Sequence, residues 1–416
     1  MMSMHGWELN GDCLRSRRQK ENLRTRCAST SARPRACSLA LRMNSRCLPR
    51  ARPRKVFEML PALYVLIIAL LAFGVGFATQ RGSICSILAA RQVAETGRAT
   101  RLVAFITATL WALVIVVPLS WFSKGSIFLS PSYDISVAAF LGGALYGLGT
   151  FINGGCMFGT VGRIASGNLS FLTALPGIAL GAGLGAAVAL PHLAFVQADS
   201  PLREPGFGGF AVLMVAAGFV GLAGAGIART HRRAGLRVGQ VLRASRWRTA
   251  VAMMIIGILG GLLFATGSPW SYPTLLRQVG NLTLGQKAMF APTTIIGPLA
   301  VLAGAITASA LGGRFVLRAA SGVQLGRSLA GGATKGFATI LVPGGNDTLL
   351  LSALPSFAAH GAVAYLAMFG VQLSLSMIAG RWKNRNMRRG KRGTTGRSEA
   401  SSLGRPEQGL RSRLDA

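Results

Sequence analysis

Acidic residues are scarce in this chain of 416 residues, which has 12 Asp and Glu against 45 Lys and Arg. Charged residues make up 14% of the sequence, whereas an average soluble protein carries about 25%. This deficit excludes an ordinary water-soluble domain. Because the basic residues gather in two tails and one loop, we also expect no nucleic-acid partner. A body that lacks charge is typical of a protein whose partner is the lipid bilayer.

Motifs for metal binding and catalysis are also missing. The four histidines have no ligand spacing and the sequence contains no CxxC motif, so a structural zinc site is unsupported and we expect no metal and no cofactor. No Ser-His-Asp set or phosphate-binding loop favours an enzyme. Of the six cysteines, four lie in the N-terminal tail, and Cys85 and Cys156 lie in the body.

Long apolar runs fill the chain from residue 59 to residue 380. Runs near 20 residues match the hydrocarbon thickness of a bilayer, and the 54 glycines favour close packing of helices within it. We therefore predict an all-α, polytopic membrane protein with about nine transmembrane helices. The predicted spans are 60–79, 99–122, 136–152, 170–190, 208–228, 249–267, 288–312, 327–342 and 359–379.

The two halves of the body resemble each other. Phe77-Ala78-Thr79 recurs as Phe264-Ala265-Thr266, and the series Gly142-Gly143-Ala144 to Gly154-Gly155-Cys156 recurs as Gly331-Gly332-Ala333 to Gly344-Gly345-Asn346. Each copy also contains short segments that resemble half-helices, at 82–95, 155–166, 268–279 and 344–354. Because the fifth span reverses the direction of the chain, the second copy is predicted to be inverted, which is a recurring transporter design.

This pattern divides the chain into five parts. Residues 1–58 form a basic tail whose composition resembles a transit peptide, although we favour a true start at Met59 and expect disorder in either case. Residues 59–205 are transporter repeat 1 and residues 249–380 are repeat 2. Residues 206–248 form a linking helix and a loop with seven arginines, which predicts a cytoplasmic loop. Residues 381–416 form a second basic tail, also expected to be largely disordered.

The first candidate site lies where a span ends and a half-helix begins, and it contains Arg81, Cys85 and Arg91. The N-terminus of a half-helix presents free N–H groups and partial positive charge, which suits an anion. In the first turn, the thiol of Cys85 can donate a weak hydrogen bond. The alternative is that Cys85 is a small packed residue and that both arginines are interfacial anchors.

The second candidate site contains Gly154, Gly155, Cys156, Gly159 and Arg163. The two glycines let the backbone turn and approach a ligand closely, and Cys156 opens the next half-helix. Gly159 follows about one turn later and Arg163 nearly two turns later. The alternative is a glycine motif that serves packing alone.

The third candidate site, Asn346 and Asp347, is the repeat partner of the second, with Asn346 in the place of the cysteine. A carboxylate in an apolar body is expected to be protonated, coupled to a cation or paired with a basic residue, of which Lys335 is the nearest by sequence. The alternative is an Asn-Asp cap of a half-helix. The counterpart of the first site, Trp270-Ser271-Tyr272, has no thiol and is expected to line or plug the far side.

Both cysteine motifs resemble the YeeE/YedE family of membrane sulfur transporters, which includes thiosulfate uptake proteins. The matching residues are Arg81-Gly82, Cys85, Ala89 and Arg91 in the first motif, and Gly154-Gly155-Cys156, Gly159, Arg163, Gly167 and Leu169 in the second. The resemblance covers about residues 59–380. It implies a bacterial inner-membrane protein shaped as an hourglass of inverted repeats, in which Cys85 and Cys156 pass thiosulfate along by S–H contacts. The family pattern has a further cysteine in the second half, where this chain has Asn346-Asp347.

These features favour a permease, not an enzyme, for a small sulfur-containing anion such as thiosulfate. In that interpretation half-helix dipoles and arginine attract the anion and the thiols hold it transiently. The alternative is a membrane thiol enzyme or sulfur-relay subunit that delivers sulfane sulfur to a cytosolic carrier protein. A purely structural scaffold is disfavoured by the polar residues that the glycines flank.

Overall fold

The computed structural model describes residues 54–402, apart from 124–126, 189–196, 234, 236–237, 268–269, 284, 286–289 and 343. This part of the chain is almost entirely helical, and its strands are the antiparallel pair β1 (Ser132–Tyr133) and β2 (Gln197–Ala198). The predictions for residues 1–53 and 403–416 fall outside the described residues. The first helix begins at Arg54, before Met59.

Nine long helices coincide with the nine predicted spans. Seven stretches of the described residues are long and apolar enough to cross a membrane, which confirms an all-α, polytopic membrane protein. The long helices are α1 (Arg54–Gly82), α3 (Thr100–Phe122), α4 (Val137–Asn153), α6 (Ala174–Ala187), α7 (Phe207–Arg233), α9 (Thr249–Ala265), α11 (Pro292–Leu311), α12 (Gly322–Leu341) and α14 (Ala359–Ser402). The two that are not among the seven apolar stretches are α9, which has 17 residues, and α12, which carries Arg327 and Lys335.

Short helices occupy the positions of the four predicted half-helices. At a rise of about 1.5 Å per residue, the 11 residues of α2 reach only about half of the ~30 Å hydrocarbon layer. The half-helices are α2 (Ser86–Thr96), α5 (Met157–Ala165), α10 (Tyr272–Thr283) and α13 (Asn346–Thr348), the last continued by a π-helical turn, Leu349–Ala353. A 3₁₀ turn (Leu169–Phe171) and α8 (Val238–Arg243) complete the described helices.

The two copies make the same helix contacts with exchanged partners. Gly143 of α4 packs against the backbone of Ala364 in α14, and its repeat counterpart Gly332 of α12 packs against the backbone of Ala174 in α6. Each copy therefore places its glycine-rich third span on the fourth span of the other copy, as a twofold relation requires. The same exchange recurs one turn later for the pairs Gly147–Met368 and Gly336–Ile178.

A second pair of contacts follows the same rule. Gly304 of α11 lies against the Phe73 carbonyl of α1, and Gly257 of α9 lies against the Ala108 carbonyl of α3. The first span of each copy thus packs on the second span of the other. These exchanged contacts support the repeat, while the domain boundaries at 59–205 and 249–380 stay a prediction.

The linking helix α7 lies at the edge of this bundle. It packs on α3, where the Trp121 ring lies 4.8 Å from the Phe210 ring, and most of its surface is exposed. Beyond the repeats, α14 continues through the basic segment to Ser402, whereas the sequence analysis expected disorder from residue 381. The segment from 381 to 402 contains no proline and is rich in Lys and Arg, which are good helix formers, but it also contains Gly390, Gly393 and Gly396, which lower the helix propensity.

The exchanged glycine contacts predict a matched loss of stability in the two copies. A Cβ added at Gly332 would lie 2.5 Å from the Ala174 carbonyl oxygen, and one at Gly143 would lie 2.8 Å from the Ala364 carbonyl carbon. We expect Gly332→Ala and Gly143→Ala each to cost about 1–3 kcal/mol through overpacking. Thermal unfolding of the detergent-solubilised protein measures this as a lower Tm.

Gly221→Ala in α7 is the control for these variants, because no atom lies within 4 Å of its added Cβ. We expect its Tm to be equal to or above that of the wild type, since Ala is a better helix former than Gly. A Tm for Gly332→Ala as high as that of this control would contradict the packing argument.

Candidate functional site

The half-helices α2 and α5 each begin directly after a cysteine. Cys85 and Cys156 are the residues that precede the first helical turn, and both have extended backbone. Before Cys156, Gly154 ends α4 in the left-handed region, at φ 73°, where glycine is favoured. The sequence thus folds so that each thiol lies beside the positive end of a helix dipole.

The two thiols lie at one point of the molecule and contact each other's half-helix. The Ser86 N–H donates to the Cys156 sulfur at 3.2 Å, and the Cys156 N–H donates to the Cys85 sulfur at 3.4 Å. Both cysteines are free thiols with 3% or less of their surface exposed. Each sulfur therefore lies at the N-terminus of the other's half-helix, and two positive helix ends converge on one thiol pair.

Gly159 leaves space for the thiol pair on the side of α5. A Cβ at this position would lie 2.5 Å from the Cys85 sulfur and 3.8 Å from the Cys156 sulfur. The predicted position of Gly159, one turn after Cys156, thus brings a bare stretch of helix backbone against both sulfur atoms.

The carbonyls of Gly155 and Cys156 accept hydrogen bonds from three side chains. The donors to Gly155 are Asn153 Nδ2 at 2.8 Å and Lys335 Nζ at 3.3 Å, while the Thr160 hydroxyl donates to the neighbouring Cys156 carbonyl at 2.9 Å. All three donor residues are buried. The loop that carries Cys156 is therefore fixed by side chains from α4, α5 and α12.

Asn346 and Asp347 open the half-helix α13 of the second copy, and both are buried. Both side-chain polar atoms of Asn346 and one carboxylate oxygen of Asp347 have no hydrogen-bond partner among the described residues. Within the described part of the chain, the ion pair found is Arg203–Asp199. Pairing of Asp347 with Lys335, one of the alternatives raised by the sequence, is therefore not seen.

Two tyrosines connect the second copy to the thiol side. Tyr272, the first residue of α10, donates its hydroxyl to the carbonyl of Met157 at 2.7 Å. Met157 is the residue that follows Cys156. The Tyr146 hydroxyl lies 3.4 Å from the position that a Cβ on Gly345 would occupy, beside Asn346. The aromatic segment expected to line or plug the far side thus reaches the first turn of α5.

The three predicted arginines have different positions. Arg163 is half-buried over the Phe171 ring, at 4.5 Å, and its Nη1 lies 3.3 Å from the position of a Cβ on Gly154. Arg91 is half-buried on α2. Arg81 is buried and donates to the Ala244 carbonyl at 3.0 Å, in the basic loop. The contacts of Arg81 favour the anchoring alternative for that residue.

The positions of Lys335, Tyr146 and Tyr272 relative to the thiols did not follow from the sequence. Lys335 was considered only as a partner of Asp347, although a lysine inside an apolar span is itself a signal of function. Its counterpart in the other copy is Tyr146, since both residues follow the glycine pair by the same spacing, at Gly142-Gly143 and Gly331-Gly332. Comparison of the two copies position by position would have identified this pair.

A family model described as sulphur transport matches residues 81–372 of this chain. The match covers both thiol motifs and Asn346-Asp347, and it confirms the resemblance to the YeeE/YedE transporters. No curated protein matches the chain.

Proposed function

Because the chain belongs to the sulphur transport family, we propose that it is a permease that moves a small sulfur-containing anion across a membrane along Cys85 and Cys156. Thiosulfate is the first candidate substrate. We place the protein in the inner membrane of a bacterium, with the arginine-rich loop between α7 and α9 in the cytoplasm.

The observation that carries this proposal is the crossed contact of the two thiols at the N-termini of α2 and α5. Converging helix N-termini attract an anion, and a thiol is a weak hydrogen-bond donor. The sulfur of thiosulfate is a soft, weakly held acceptor, so S–H contacts favour its transfer without trapping it. In this mechanism no covalent bond forms between the protein and the substrate.

The second copy contributes different chemistry. Asn346 offers a buried amide with no partner among the described residues, where the family pattern has a thiol. An amide donates and accepts hydrogen bonds, so it suits the oxygen atoms of a sulfur oxyanion. We therefore propose a route with two thiols and one amide.

Uptake of radiolabelled thiosulfate, in a bacterial host that lacks its own thiosulfate uptake, tests this function. We expect the wild type to support growth on thiosulfate as the sole sulfur source. Cys85→Ala and Cys156→Ala each remove one hydrogen-bond donor and are expected to lower the initial rate about tenfold. Thr307→Ala, which removes a hydroxyl that bonds the Ala303 carbonyl of its own helix, is the control. Undiminished uptake in both cysteine variants would reject the thiol route.

The alternative is transfer of sulfane sulfur from a thiol of this protein to a cytosolic carrier. That reaction needs a carrier thiol to reach Cys85 or Cys156, and both are buried, which favours permeation. Mass spectrometry of protein purified after sulfur feeding distinguishes the two. We expect unmodified Cys85 and Cys156, and a persulfide on either would favour the relay.

A further inference from the structure

Lys335 is a fully buried lysine inside α12, with none of its surface exposed. Among the described residues no carboxylate lies within 4.0 Å of it, and its recorded hydrogen bond is to the Gly155 carbonyl at 3.3 Å. An ammonium group has three N–H donors, so this contact satisfies a part of its capacity. A buried cation without a counter-ion is costly, and such residues in membrane proteins are typically functional.

The Gly155–Cys156 peptide connects this ammonium group to the thiols. Its carbonyl accepts from Lys335 Nζ, and its N–H, on the opposite side of the same peptide, donates to the Cys85 sulfur at 3.4 Å. The two contacts and standard peptide dimensions place Nζ at most about 9 Å from that sulfur. The positive charge therefore lies directly behind the loop on which the two helix N-termini converge.

The packing of α4 on α12 makes room for the lysine stem. A Cβ on Gly149 would lie 2.9 Å from Lys335 Cγ and 2.8 Å from the Gly331 carbonyl oxygen. The glycine therefore lets the lysine run between the two helices to Gly155.

The repeat shows that this charge belongs to one copy. Lys335 and Tyr146 are counterparts, and each faces the glycine loop of the other copy, Lys335 at Gly155 and Tyr146 near Gly345. The cation thus faces the thiol loop, whereas an uncharged hydroxyl faces the loop of Asn346 and Asp347. This difference between the copies is the one expected if an anion binds at the thiols.

We propose that Lys335 is the fixed positive charge that balances a sulfur oxyanion held at the Cys85–Cys156 pair. The proposal rests on the proposed transport function and identifies the residue that gives the site its preference for an anion. At about 9 Å and an effective dielectric constant of about 20, one unit charge changes the affinity for an anion about 20-fold for each negative charge that the anion carries, and thiosulfate carries two.

The test is the apparent KM for radiolabelled thiosulfate in proteoliposomes that contain the full chain. Lys335→Gln retains a hydrogen-bond donor for the Gly155 carbonyl but removes the charge, and Lys335→Met removes both. We expect both variants to raise the KM for this divalent anion at least about 20-fold, since the charge and not the hydrogen bond is decisive. If the glutamine variant is not recovered folded, Lys335→Met still tests the proposal, because an unchanged KM in that variant overturns it.

Thr334→Ala is the control on the same helix, because the Thr334 hydroxyl bonds the Ala330 carbonyl of α12 itself. An unchanged KM in Lys335→Gln, beside a raised KM in Lys335→Met, would show that Lys335 acts as a structural hydrogen-bond donor and would overturn the proposal. An unchanged KM in both would overturn it as well, with the transport function intact. Absence of uptake by the wild-type protein would instead overturn the transport function.

Discussion

Gly159→Leu is expected to abolish uptake of the sulfur anion. The first added carbon would lie 2.5 Å from the Cys85 sulfur, and the remaining three would occupy the space next to both thiols. The added carbon would also lie 3.1 Å from Cys85 Cβ, so Cys85 must shift, and the shift disturbs the contact of its sulfur with the Cys156 N–H. We expect the thiol pair to be broken and the proposed anion site beside it to be filled. Initial rates of thiosulfate uptake at matched protein levels measure the effect.

A graded series separates this effect from general misfolding. Gly159→Ala adds one carbon and is expected to lower the rate about tenfold, on the basis of an overpacking cost of about 1–3 kcal/mol. Gly221→Leu in α7 adds the same side chain at a position where no atom lies within 4 Å of the added Cβ, and we expect wild-type uptake. Substantial uptake by a folded Gly159→Leu protein would place the permeation route elsewhere.

The fold could be predicted from the sequence because its signals are local. A span appears as an apolar run, and a half-helix as a short segment flanked by glycine and polar residues, such as Gly155–Ser166. The repeat also followed from sequence, since Gly143 and Gly332 need the same absence of a side chain to contact Ala364 and Ala174. Pattern and packing therefore agree in this part of the molecule.

The relation between the two thiols could be predicted only in part. Sequence placed Cys85 and Cys156 at the start of two half-helices, which the structure bears out. The crossed N–H contacts depend on how α2 and α5 approach each other, and these helices are separated by 60 residues of chain. No local pattern contains that information.

The partners of the buried charged side chains could not be predicted from the sequence. Nearness along the chain suggested Lys335 for Asp347, yet the exchange of partners between the copies brings Lys335 to Gly155. Arg81 lies four residues before Cys85, yet at the end of α1 the Arg81 guanidinium donates to the Ala244 carbonyl. For buried charges in this fold, contacts between copies decide the environment more than neighbours along the chain do.

Arg163 supplies the second large expected effect, because its guanidinium lies beside the glycine loop that carries Cys156. Its Nη1 is 3.3 Å from the position of a Cβ on Gly154, and within the described chain no carboxylate lies within 4.0 Å of it. Arg163→Glu replaces a positive charge by a negative one. At roughly 10 Å and an effective dielectric constant of about 20, with allowance for solvent screening, the reversal costs about 2–3 kcal/mol. We expect the KM for thiosulfate to rise about 100-fold.

The charge, and not the loss of packing on Phe171, is responsible for this expected rise. Arg163→Gln loses the contact with the Phe171 ring as well but introduces no negative charge, so its KM is expected to rise about tenfold. Arg327→Glu reverses a charge at an exposed position of α12, whereas the thiols are buried, and should leave KM at the wild-type value. Raising the ionic strength should reduce the deficit of Arg163→Glu, because salt screens a half-exposed charge. Equal KM values for Arg163→Glu and Arg327→Glu would show that the anion does not pass this loop.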